Sequence, residues 1–189
     1  QRLRSAFGAK GAEQVLFRHN TVTGNLPSSS FAMRLNREGS NPVNRRMTFQ
    51  GNIWSDASGT MERFAEVPQD GAQGVVLQNN LYWNGDNPIR SDIIGSPQRD
   101  AEAIFTDPGL PDVTTFDAHQ IQPLLAGESR IEDLFTDLVH RYGMPGTGSP
   151  AIAGCPASLA PETDILGQRR PDTAVTCGAV EATIGAGDQ

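Results

Sequence analysis

The chain has 189 residues, 37% hydrophobic and only 6% aromatic, with Gly 20 and Pro 13, which favours many short elements joined by turns over a few long helices. A formal net charge of −7 lacks the basic footprint of a nucleic-acid surface, and no run approaches the ~18–20 apolar residues that cross a bilayer. Gln1 is neither an initiator Met nor the start of a signal peptide, so it reads as a processed end with upstream sequence lost.

Along the chain, three segments align without gaps. They are Val15-Leu16-Phe17-Arg18-His19-Asn20-Thr21-Val22, Met47-Thr48-Phe49-Gln50-Gly51-Asn52-Ile53-Trp54 and Val75-Val76-Leu77-Gln78-Asn79-Asn80-Leu81-Tyr82, at spacings of 32 and 28 residues. Each reads apolar, variable, apolar, polar, any residue, Asn, then two strand formers. Between them lie Phe31 to Leu35 and a weaker stretch from Met61 to Val67. Turn chemistry joins the pieces at Gly24 to Ser28, Gly39 to Pro42, Gly71-Ala72 and Gly85 to Pro88.

That period predicts strand, Asn turn, strand, loop and third strand, with successive copies paired at ~4.8 Å. Alternation sets Val15/Met47/Val75 and Phe17/Phe49/Leu77 inward, and Leu16/Thr48/Val76 and Arg18/Gln50/Gln78 outward. Asn20, Asn52 and Asn80 then share one bend, where Asn tolerates left-handed backbone and stacked amides can form a ladder. The expected fold is all-β, a right-handed parallel β-helix (a solenoid) with a short helix and an irregular C-terminal cap. No six-residue period supports a left-handed hexapeptide type.

After Tyr82 the repeat decays. Ser129 to Tyr142 is the one clear helix, with Ile131, Leu134, Phe135, Leu138 and Val139 on one face, Ser129 as N-cap and Gly143 as stop. It is expected to act as a lid over the last coil. Cys155 and Cys177 lack zinc or C-x-x-C spacing, and point to one disulfide in an oxidising compartment, with two buried thiols as the alternative.

The tail carries three ordered phrases: Thr147-Gly148-Ser149-Pro150-Ala151-Ile152-Ala153-Gly154, Asp164-Ile165-Leu166-Gly167-Gln168-Arg169-Arg170-Pro171 and Cys177-Gly178-Ala179-Val180-Glu181. Together with Phe105-Thr106-Asp107-Pro108-Gly109-Leu110, they resemble the terminal signature of secreted bacterial proteins of the pectate-lyase-like β-helix superfamily. Ala153 departs from it, standing where that signature has Asp. The resemblance implies a secreted or cell-surface protein. Residues 1–110 would be the last coils of the β-helix, with N-terminal coils missing. Residues 111–189 would be the terminal coil, helix and cap.

The resemblance leaves the chemistry open, because the superfamily hosts lyases, hydrolases and inert scaffolds. A lyase would draw its base from Arg18, Arg34, Arg63 or Arg90, with Asp86 and Asp92 as weak calcium ligands, although Gly85 to Pro88 is an ordinary turn. No paired acids recur at equivalent positions, as a hydrolase would need. His19 flanks the ladder, while His119 and His140 have no sequence-near partners suggesting a metal. Arg18, His19, Arg34, Trp54, Tyr82 and Trp83 are the candidate carbohydrate-binding residues, set against filling of core or edge by the aromatics. The expected function is an extracellular, carbohydrate-associated scaffold and capping segment without a metal or other cofactor. Its partner would be a polysaccharide or another protein chain, including the rest of the same β-helix. The alternatives are a polysaccharide lyase or glycoside hydrolase acting mostly on upstream coils, and a structural rod of the cell surface.

Overall fold

A computed structural model of the chain describes residues 5–68, 70–90, 99–113 and 118–182. Three successive passes of the chain each contribute one strand to each of three sheets. The first pass supplies β1 (Phe7–Ala9), β2 (Val15–Arg18) and β3 (Thr21–Thr23). The second supplies β4 (Met33–Leu35), β5 (Asn44–Gln50) and β6 (Ile53–Ser55). The third supplies β7 (Ala65–Glu66), β8 (Ala72–Gln78) and β9 (Leu81–Trp83). The sheets are β1-β4-β7, β2-β5-β8 and β3-β6-β9, all parallel. Val15 pairs with Met47 and Met47 with Val75, while Phe17, Phe49 and Leu77 follow in the same register.

The expectation of an all-β, right-handed parallel β-helix is corrected by this arrangement. The described residues form three separate three-stranded sheets, one two-stranded antiparallel sheet and short helices. The repeated phrase does not recur beyond Tyr82, and among the described residues parallel pairing continues past the third strands as an isolated bridge from Leu81 to Ile104. The later chain instead forms α1 (Gln122–Leu125), α2 (Ile131–Tyr142) and the antiparallel pair β10 (Cys155–Pro156) and β11 (Ala174–Val175).

The main core lies inside the three sheets, where Met33, Leu35, Met47, Phe49, Trp54, Phe64 and Tyr82 are buried. Aromatic rings run through it in contact: Phe7 meets Phe49 edge-on at 5.0 Å, and Phe64 lies at 5.0 Å from Trp54 and 5.1 Å from Tyr82. A second core covers the outer face of β3-β6-β9. There Ile53 and Leu81 pack with Ala151, Val175 and the Cys155–Cys177 disulfide, whose Cα atoms are 5.2 Å apart. Apolar residues on both faces of β6 and β9 are therefore both buried, one row by the inner core and the other by the tail.

The helix also differs from expectation. Arg130, not Ser129, is the N-cap, and its backbone N–H donates to the Asp133 carboxylate at 3.1 Å. Phe135, Leu138, Val139 and Tyr142 border a cleft with Thr21 and Thr23 of the first pass and Val180 of the tail.

Candidate functional site

The asparagines are joined as a ladder. Asn20 donates its side-chain amide to Asn52 Oδ1 at 3.1 Å, and Asn52 donates to Asn80 Oδ1 at 2.8 Å. The backbone N–H groups of Asn20 and Asn52 converge on the same oxygens. The left-handed residue at each bend is the one before the ladder asparagine: His19 (φ 48°), Gly51 (φ 62°) and Asn79 (φ 52°). Asn80 in turn donates to Asp100 Oδ2 at 2.9 Å, and Asp100 also accepts the backbone N–H groups of Asn79 and Asn80. Asp100 thus replaces a fourth asparagine, in a segment where the phrase itself is absent. A second buried amide was equally illegible. Asn44 accepts from the Gly11 and Ala12 backbone and donates to the Ala9 and Gly71 carbonyls, tying three loops together. Both are buried polar residues, and their signal is a short polar side chain beside strand residues, which sequence shares with every turn.

The polar residues of the tail phrases form a knot of their own. Arg170 and Glu181 make a buried ion pair at 2.8 Å. Arg170 also reaches the Thr176 and Gly178 carbonyls, and Glu181 accepts from the Thr176 backbone and hydroxyl. Asp164 accepts from the backbone of Leu166, Gln168 and Glu181. These groups are consumed in holding the tail, which docks through Gly178 N–H to the Gly51 carbonyl at 2.8 Å. Gly178 has φ 86°, and a Cβ there would lie 2.6 Å from Thr21 Oγ1, so this close approach requires glycine.

The candidate ligand residues are dispersed. Trp54 and Tyr82 are core residues, so neither presents a ring face to solvent. Arg34 pairs with Glu66 across β4 and β7. Arg18 is exposed at the end of β2. His19 is 4% exposed; burial, and next the Arg170 guanidinium, push its imidazole down to about 4. Of the lyase candidates, Arg63 lies over the Phe31 ring at 5.6 Å, and the Arg90 backbone N–H donates to the Glu62 carbonyl. Asp86 is an exposed turn residue, and Asp92 lies outside the described residues. Among the described residues, no three His, Cys, Asp or Glu side chains converge as a metal site.

One open groove does gather candidate chemistry. It has a volume of about 440 Å³ and is walled by Trp83, Phe105, Asp86, Asn87 and Pro88, with Tyr82 at its base. Phe105 is 49% exposed and stacks on Tyr82 with ring centroids 5.7 Å apart. The Tyr82 hydroxyl donates to Asp100 at 3.3 Å, and burial, followed by the Asp100 charge, holds this phenol well above its usual range. The Asp86 turn is fixed by buried Asn84, which accepts the Met61 N–H at 2.8 Å and donates to the Asn87 carbonyl. Asn87 donates to the Gly59 carbonyl at 3.0 Å. Phe105 comes from a turn-like phrase more than 20 residues after Trp83, so only the return of the chain along β9 brings them together.

In comparisons with known proteins, no family model, curated protein or solved structure matches this chain. No helix among the described residues is long and apolar enough to cross a membrane.

Proposed function

We propose that this chain is a carbohydrate-binding scaffold segment of an extracellular protein, with the Trp83–Phe105 groove as its sugar site. The observation that carries this reading is the meeting of two accessible aromatic residues with an exposed carboxylate and an exposed amide on a rigid turn. Aromatic faces pack on the C–H faces of a sugar ring, and Asp86 and Asn87 offer acceptors and a donor to its hydroxyls. Asp86 accepts from paired hydroxyls and repels a uronate, so neutral sugars are the expected class. The disulfide supports an oxidising compartment, as does the likeness of the tail phrases to those of secreted proteins.

Titration with neutral oligosaccharides and with pectate and alginate fragments, with and without calcium, tests the reading. Trp54 is buried, so ligand-dependent tryptophan fluorescence should come from Trp83. Trp83→Ala should weaken neutral-sugar binding at least about tenfold, equivalent to ~1.4 kcal/mol. Binding that survives Trp83→Ala, or no binding by any sugar, would sink the proposal.

A further inference from the structure

The two ends of the three-pass stack are finished differently. At the third pass, Tyr82 N–H donates to the Ile104 carbonyl and Ile104 N–H to the Asn80 carbonyl, so the segment after residue 99 covers the edge of β9. Asp100 closes the asparagine ladder there, since an ionised carboxylate accepts hydrogen bonds and donates none.

Among the described residues, the first pass has no such finish. Strands β1, β2 and β3 are each the outermost member of their sheet. Phe7, Val15, Phe17 and Val22 are only partly buried, although their partners one pass on, Met33, Met47, Phe49 and Trp54, are wholly buried. The apolar rows therefore run out to the surface at this edge. The ladder is open there too. Asn52 Oδ1 and Asn80 Oδ1 each accept a backbone N–H and an amide from the preceding pass, whereas Asn20 Oδ1 accepts no bond within the described residues.

We infer that the β1–β2–β3 edge is a docking surface for an extended polypeptide strand lying parallel to β2. The strand would set apolar side chains over Val15 and Phe17 and bring an N–H or amide donor to Asn20 Oδ1. Unpaired strand edges recruit added strands through main-chain hydrogen bonds, and alternate side chains supply specificity. A second copy meeting edge to edge fits less well. It would oppose two Asn20 oxygens, while Asn20 Nδ2 is already committed to the Arg18 carbonyl and Asn52 Oδ1. The inference is independent of the sugar groove, which lies on the third pass.

The test is hydrogen exchange on the intact chain with a synthetic peptide of residues 44–55, which carries the second-pass phrase. Exchange of amides in residues 15–23 should slow at least about tenfold, and a peptide carrying Asn52→Leu should need at least about tenfold more material. No slowing at millimolar peptide, or equal slowing by a scrambled peptide, overturns the inference. So does sedimentation equilibrium showing that the chain alone self-associates and protects the same amides, because the occupant is then a second copy.

Discussion

His19 occupies a position that the sequence marks only as neighbour to a ladder asparagine, yet its surroundings give it a defined energetic role. It is left-handed, it sits against Gly51, and the docked tail closes over it. Its folded value of about 4 lies below the ordinary 6.5, so the unfolded chain takes up the proton first as pH falls. This contribution to stability is complete above about pH 6.5 and drains away toward pH 4, a loss on the order of 3 kcal/mol. His19→Asn keeps a residue that tolerates φ near 48° and removes the titration. Urea unfolding between pH 7 and 4 should therefore show a shallower acid decline for His19→Asn; an unchanged slope would place the acid sensitivity elsewhere.

Among the elements, the ladder connects the three passes at the bend that joins β2 to β3, β5 to β6 and β8 to β9. Asn52, the middle rung, accepts from Asn20 and donates to Asn80 and to the Phe17 carbonyl. Asn52→Leu would strand these groups in a buried turn and should cost about 2–4 kcal/mol, read as a lower denaturation midpoint with unchanged denaturant dependence. An unchanged midpoint would mean that the ladder bonds carry no net stability. The strand registers were legible because apolar residues alternate with a period of two, and a slip of one residue would turn Phe17 or Phe49 to the outside. Helix α2 was legible by its period, but its neighbours were not. Ile131 is 63% exposed and Phe135 44%, so the apolar face is only partly covered by the tail.

For the molecule as a whole, the tail is a second layer and not an end-piece. It buries Ile53 and Leu81, docks on Gly51 and Thr21, and accepts a hydrogen bond from Gln50 Nε2 at the Leu159 carbonyl. The Cys155–Cys177 bridge, with a sequence separation of 22, ties β10 to the chain just beyond β11 within this layer. Replacing both cysteines with Ser should cost about 3 kcal/mol in the chain-entropy account. For a chain of this length that corresponds to a melting temperature lower by roughly 6–12 °C, measured by calorimetry. A shift under about 2 °C would show that the docked tail stands without its staple.

By itself the sequence determined which residues pair across the passes, which asparagines meet at the bend and where the long helix lies, because each depends on spacing within a short stretch. It also held a clue to the outer layer. Ile53-Trp54 and Leu81-Tyr82 are apolar on both faces of their strands, and such strands must be covered on both sides. Only the tertiary structure decided what covers them, where the parallel pairing stops, and that Asp100 ends the ladder. It alone brought Phe105 to Trp83 and Arg170 to Glu181. Those choices depend on which distant surfaces lose water together, and no local period records that.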